Sequence, residues 1–349
     1  MPSIAADQLE NMAARLLQGA GVGADEAEIV ARHCVAANLA GHDSHGIIQI
    51  PQIIAQIKRG LLVPDAPFEI VQETPTTTVV DGHWGFGFVV TERAMRTTIA
   101  KARQNSVAAS TIRRQGHIGR LTDYALMAAE AGMIGMITAD SGRGPKSVAP
   151  FGGRTRRLGT NPICIAVPSN LDAPLYIDIA TSAVSAGKIN LAVQSRSEIP
   201  YGWVIDKDGH ATTDPTALAR GGALLPLGGS EGHKGYGLAV VIEIFSGILT
   251  GLGFGVEQSG HHNDGCFIAV FDVSAFHPLE DFKQQVTNFA HDLTSSPPAD
   301  GFARVYYPGE IEYLKTQQQL AEGLHVGDGV WKSLTDLAQE FGLEDLFKV

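Results

Sequence analysis

Two histidine-bearing turns carry the groups of this chain best suited to chemistry. The first is Asn38-Leu39-Ala40-Gly41-His42-Asp43-Ser44-His45-Gly46, a helix end followed at once by two imidazoles, a carboxylate and a hydroxyl. The second, Gly116-His117-Ile118-Gly119-Arg120, sets one imidazole between glycines. Histidine exchanges a proton near neutral pH, its free pKa being about 6.5. Proton transfer needs such groups held by a rigid scaffold yet open to a substrate, and short turns at the edges of regular elements provide both. Other chemistries stay open. His42, Asp43 and His45, with His117, His261 and His262 elsewhere, would suffice for zinc. A histidine at a helix end also serves as a capping or packing group, and Ser44 reads as the N-cap of the following helix.

Three weaker signals accompany the turns. Asp178-Ile179-Ala180-Thr181-Ser182 ends a strand, where an α/β sheet places its ligands. Lys234 stands in a glycine-rich turn before an apolar helix, two anion attractors side by side. Pro308-Gly309-Glu310 is, by itself, a turn. No Rossmann fingerprint is present: Gly85-Phe86-Gly87 lacks the third glycine, and Gly142-Arg143-Gly144-Pro145 puts proline where a helix should open. A dinucleotide would have to bind without the usual glycine signature.

The elements that must position these groups change character along the chain. Leu9, Met12, Ala13, Leu16 and Leu17 mark one helical face, 25–40 reads as a second helix, and 50–57 as a third closed by Lys58-Arg59-Gly60. From residue 76 strands alternate with helices: strands at 78–80, 107–112, 133–138, 163–167, 175–179 and 266–273, helices at 88–103 and 121–131. Helices return at 279–293, 311–322 and 330–341. The apolar run 236–256 has the length of a membrane span, but Glu243 near its middle and the glycines that follow favour a buried helix and a turn. The organisation expected is an α/β domain over 76–278, inserted into a discontinuous helical domain made of 1–75 and 279–349.

Composition narrows the class. A net charge of −11 argues against a nucleic-acid partner, which needs clustered cations. The 3 cysteines show no zinc or redox spacing. The opening residues lack a cationic-then-apolar pattern, so no signal peptide is expected and a cytoplasmic location is.

Taken together, GHDSHG at 41–46, GHIG at 116–119, LGTNP at 158–162, DIATS at 178–182, HKGYGL at 233–238 and PGE at 308–310 resemble the type-2 malate/L-lactate dehydrogenase family. The motifs span nearly the whole chain in family order. The resemblance implies a non-Rossmann mixed α/β sheet of the L-sulfolactate dehydrogenase type. It also implies NAD or NADP as cofactor, no metal, a homodimer without a membrane partner, and a small 2-oxo or 2-hydroxy acid as substrate. Cyclic imino acids are the alternative substrates. A His-cluster hydrolase and a non-catalytic binding protein are the readings outside this class. By resemblance His45 is the proton donor and His117 a second active-site histidine. Gly119, Tyr176, Ile177, Asp178, Lys234, Pro308, Gly309 and Glu310 match cofactor contacts. Ser44, Gln49, Arg120, Thr160 and Asn161 form the expected substrate-facing set. A proton-donating His45 should remain partly protonated near pH 7, with Asp43 helping to hold its charge. Many relatives carry arginine where this chain has Gln49, which leaves the substrate carboxylate without its cation. Arg120, on the same turn as His117, is the expected replacement.

Overall fold

The computed structural model describes residues 3–140, 144–256 and 263–348. The chain opens with a short strand β1 (Ser3–Ile4), helices α1 (Ala6–Gly19) and α2 (Ala24–Leu39), a 3-10 turn at Asp43–His45, and α3 (Gln49–Lys58). The central stretch runs β2 (Glu69–Glu73), β3 (Thr77–Gly85), α4 (Gly87–Asn105), β4 (Val107–Gln115), α5 (Thr122–Glu130), β5 (Met133–Ala139), β6 (Ile163–Val167) and β7 (Leu175–Ile179). It continues through α6 (Ala186–Ser195), the short strands β8 (Val204–Ile205), β9 (Ala211–Thr212) and β10 (Ala223–Leu224), α7 (His233–Glu243) and β11 (Cys266–Asp272). The chain ends with α8 (Leu279–Thr294), α9 (Glu310–Glu322), β12 (Leu324–His325) and α10 (Asp328–Phe341).

Seven strands form one sheet in the order β2-β3-β4-β11-β5-β6-β7. Only the β3–β4 pair is parallel, joined by a crossover through α4; the other neighbours run antiparallel. The sheet is therefore mixed, as expected. Its centre is β11, whose apolar sequence Cys-Phe-Ile-Ala-Val-Phe suits a strand bonded on both sides. Beside it, β4 ends at the turn that carries His117, and Asp264 stands just before β11 begins.

The apolar face of α1 is buried as its spacing demands, Leu9, Met12, Leu16 and Leu17 each at 2% exposure or less. Each such side chain contributes roughly 1.5–3 kcal/mol. Their cluster takes residues from both ends of the chain, including Leu324, Val326, Leu334, Ala338 and Phe347. Lys58 on α3 pairs with Glu340 on α10 at 2.5 Å. By contrast, α8 lies against the strand region: Leu279 touches Gly132, and Thr287 accepts the Asn170 N–H.

Two expectations need correction. The run 236–256 is a helix followed by a turn, but the helix is not buried throughout. Regular helix ends at Glu243, a turn of π-helix follows at Ile244–Ile248, and Val241, Ile244, Ile248 and Leu249 are all exposed. Apolar sequence here marks an uncovered face rather than a core. The helix α6 and the three-stranded sheet β10-β8-β9 were also unforeseen. Only Ile189 and Ala192 of α6 are buried, too thin a stripe to read from sequence.

Candidate active site

The first histidine turn is built on Asn38, a buried amide in the last turn of α2. Its Nδ2 donates to Asp43 Oδ1 at 2.6 Å, and its Oδ1 accepts the Ile47 N–H at 2.7 Å. Gln49 Nε2 donates to the Ser44 carbonyl at 2.6 Å, and Ser44 Oγ lies 3.1 Å from His45 Nδ1. Ser44 does not cap α3, whose N-cap is Ile48 without a side-chain bond. The Asp43 carboxylate is turned to Asn38. It braces the turn.

The second turn leaves the end of β4. His117 Nδ1 lies 3.3 Å from Asp264 Oδ2, the oxygen that also accepts the Ile118 N–H at 3.3 Å. Tyr124 donates its hydroxyl to the Ile118 carbonyl at 2.6 Å. The Phe88 ring meets the His117 ring edge-on, 6.1 Å between centroids. Gly119 is required twice over: its φ is +70°, and a Cβ there would lie 2.4 Å from the Phe88 ring.

The two turns bring His45 and His117 face to face, centroids 5.7 Å apart and planes inclined by 27°. Burial pushes the His45 pKa down to about 4, helped by the nearby charges of His117, His42 and Arg120 and opposed by Asp264. The expectation that His45 stays partly protonated near pH 7 is therefore corrected: burial disfavours its charged form. His42 stands at the mouth of the same site, its pKa lowered by partial burial and then by Arg120.

Arg120 precedes α5 with its side chain only 11% exposed, paired with Asp123. Its Nε is buried without a hydrogen-bond partner. Asp178, at the end of β7, reaches the start of α5 and accepts the Thr122 N–H at 2.9 Å and the Thr122 hydroxyl at 2.7 Å. Burial raises the Asp178 pKa, against the Thr122 bonds and the charge of Arg120. Tyr176 donates its N–H to the Pro308 carbonyl at 3.4 Å. Gly309, at φ +94°, sits where a Cβ would come within 2.3 Å of the Pro174 carbonyl and 2.9 Å of the Tyr176 ring. Glu310 pairs with Arg304 and opens α9. Further along α9, Gln319 Nε2 donates to the Asn38 and Leu39 carbonyls, tying this helix to the histidine turn.

Other expected site residues lie apart from the imidazoles. Lys234, in the first turn of α7, is exposed and lies 3.3 Å from Glu231. Thr160 accepts the Thr181 N–H through its carbonyl at 2.8 Å. Asn161 is buried and bridges to α7, its Nδ2 2.9 Å from both Ala239 O and Glu243 Oε2. Glu243 also pairs with buried Lys146 at 3.2 Å. Sequence reasoning missed Asp264, Asp123 and Lys146. Asp123 carried a signal, an acid in the first turn of α5 three residues after Arg120; Asp264 carried none beyond an acid before a strand.

Among the described residues no group of three or more His, Cys, Asp or Glu is placed to hold a metal ion. His261, His262, Gly142 and Arg143 lie outside the described residues. No described helix is long and apolar enough to cross a membrane.

Comparison with known proteins places this site in context. The family model for malate/L-lactate dehydrogenase matches residues 4–335. The malate dehydrogenase of Pyrococcus horikoshii is 36% identical over 348 residues, covering 97% of this chain and 96% of the relative. The L-sulfolactate dehydrogenase of Methanocaldococcus jannaschii is 37% identical over 334 residues, 94% of each chain. The crystal structure of malate dehydrogenase from Entamoeba histolytica superposes with a TM-score of 0.93 at 30% identity, covering 98% of both chains. With facing imidazoles on a mixed sheet and a match over nearly its full length, this chain belongs to the malate/L-lactate dehydrogenase family, enzymes that interconvert 2-hydroxy and 2-oxo acids.

Proposed function

We propose that the protein uses NAD or NADP to reduce a small 2-oxo acid, with His117 as proton donor and Arg120 as the clamp for the substrate carboxylate. The observation that carries this reading is the meeting of His45, the His117–Asp264 pair and Arg120 in one half-buried site. A proton donor must hold its proton at neutral pH. Asp264 Oδ2 lies beside His117 Nδ1 and orients that ring, whereas burial disfavours the charged form of His45. The two histidines thus exchange the roles expected from the motif. With Nδ1 directed to Asp264, proton delivery to the substrate oxygen falls to His117 Nε2. The neutral His45 ring serves as a hydrogen-bonding wall for the same oxygen.

Arg120 supports the clamp through its unpartnered Nε. A buried N–H without an acceptor costs about 1–3 kcal/mol, which a bound carboxylate would recover. Gln49, bonded to the Ser44 carbonyl, keeps the turn in shape beneath it.

The chain has a surface that fits a dinucleotide. Strand β7 is a sheet edge with Ile177 exposed, and the bare Cα of Gly309 lets the Pro308–Glu310 turn close onto Tyr176. Tyr176 to Asp178, Gly119 and Pro308 to Glu310 would hold the cofactor, with Lys234 reaching its phosphates from outside. Bound there, the nicotinamide supplies the hydride.

Two further points belong to this reading. The helical domain is formed by both chain ends, supported by their shared apolar cluster. The protein works as a homodimer, supported by the exposed apolar face that runs from Val241 at the end of α7 to Leu249. The test is titration with NADH and NADPH, following nicotinamide fluorescence, then turnover on a panel of 2-oxo acids and cyclic ketimines. Binding of neither cofactor would overturn the reading; turnover of ketimines alone would move it to the imino acids.

A further inference from the structure

A line of buried charges runs behind Arg120 and takes no part in the chemistry above. His33, on α2, is 3% exposed. Its Nε2 lies 3.0 Å from Glu92 Oε2 on α4, and its Nδ1 lies 3.5 Å from Asp123 Oδ2 on α5. The ring stacks on Tyr124 at 5.0 Å and is flanked by Phe88 at 5.7 Å. Toward solvent, Glu92 accepts from Arg32 and from Arg96, each at 2.8 Å. Toward the site, Asp123 holds Arg120. Charge alternates along this line from the surface inward.

The ring has a carboxylate at each nitrogen. A neutral imidazole offers one N–H donor and one lone pair, so it would set a lone pair against one of the two acids. Only the imidazolium presents a donor to both. Burial works against that charge, but Asp123 and Glu92 outweigh it, against a small opposing effect of Arg32, and the His33 pKa is raised. Tyr124, another titratable group packed on the ring, donates a hydrogen bond to the Ile118 carbonyl, and burial keeps its hydroxyl neutral.

We propose that His33 is a positioning residue for the substrate clamp: as an imidazolium it fixes the Asp123 carboxylate so that Arg120 turns its Nε edge to the substrate. The inference rests on the reading of Arg120 as that clamp. Deprotonation of His33 places a lone pair against Asp123, and the carboxylate rotates, carrying the guanidinium with it. Substrate affinity then falls as pH rises through the raised His33 pKa, while cofactor affinity stays constant.

The test is steady-state kinetics of the full-length enzyme with its best 2-oxo acid across a pH series. The variants are His33→Gln, Glu92→Gln and Arg120→Lys, and the first two are each combined with the third. His33→Gln is expected to raise KM roughly tenfold with kcat and cofactor Kd nearly unchanged, a loss of about 1.4 kcal/mol. Glu92→Gln removes one acid from the ring, so its KM begins to rise at lower pH than in the parent. In the Arg120→Lys background neither change has an effect of its own, because both act through the guanidinium. A full His33 effect in that background, or a KM–pH profile untouched by Glu92→Gln, overturns the inference. A raised KM in Arg120→Lys with an unaltered KM in His33→Gln overturns it alone; an unaltered KM in Arg120→Lys overturns the clamp reading as well.

Discussion

The His45 and His117 rings lie 5.7 Å apart with nearly parallel planes, and only His117 has a carboxylate behind it. Two imidazoles so close cannot both carry charge cheaply, and burial already holds His45 against charge. His117→Ala is therefore expected to lower turnover by roughly 10²–10⁴-fold, the usual contribution of a positioned acid. His45→Asn should cost less and leave the shape of the pH–rate profile unchanged between about pH 5.5 and 8, since the His45 pKa is already down at about 4. Turnover that falls further in the His45 variant would return the donor role to His45.

Arg120→Lys keeps a cation opposite Asp123 but loses the planar fork. The substrate KM should rise by roughly tenfold to a hundredfold with cofactor Kd unchanged, the scale of a hydrogen bond between charged groups. Arg120→Ala leaves the Asp123 carboxylate to His33 alone, and a loss of about 1–3 kcal/mol in unfolding stability is expected. A cofactor Kd that worsens alone would reassign Arg120 to a phosphate.

Lys234 tests the outer edge of the cofactor surface. Because the side chain is 71% exposed, solvent screens its charge and the effect must be small. Lys234→Ala should weaken NAD(P)H binding by about 1 kcal/mol at low ionic strength, and by less as salt is added. A dissociation constant identical to the parent at low salt removes Lys234 from the site.

Gly119→Ala is a test of fit rather than charge. The added methyl meets the Phe88 ring while the backbone is held at φ +70°. Together these should lower stability by about 1–3 kcal/mol and reduce turnover, since Phe88 also supports the His117 ring. Thermal unfolding and kinetics on one preparation check both; an unchanged melting temperature would mean that Phe88 swings aside freely.

The exposed apolar face of the π-turn after α7 makes the quaternary prediction. Ile244→Glu with Ile248→Glu places two carboxylates on that face without touching buried Glu243. Sedimentation should show dimers in the parent and monomers in the double variant. Dimers that survive the change place the interface elsewhere.

Local signals were legible in the sequence and distant ones were not. The two histidine turns, α1, and the strands β5, β6 and β7 announce themselves through neighbouring residues. Strand β2 does not, because all of Glu69–Glu73 is exposed and no alternation marks a buried side. In α7 and the π-turn after it apolar residues were read as buried, yet Val241, Ile244, Ile248 and Leu249 face outward. Asp264 reaches His117 from 147 positions away, and no spacing rule connects them. The proposed exchange of the histidine roles has the same origin: the motif names both rings, but their surroundings depend on groups the fold brings from elsewhere.

Strand β1 pairs with β12, and Ser3 donates to the Glu322 carbonyl across 319 positions. The helices made first on the ribosome therefore wait for the last ones to cover them, since Leu324, Leu334 and Phe347 complete their apolar cluster. The first histidine turn also waits, because the helix end that carries it is tied by Gln319. Chains cut short before α9 emerge with a sheet but no finished catalytic cleft, and with α1 and α3 still greasy on one side. Such fragments are natural clients for chaperones and proteases, and catalytic competence arrives only with the completed polypeptide.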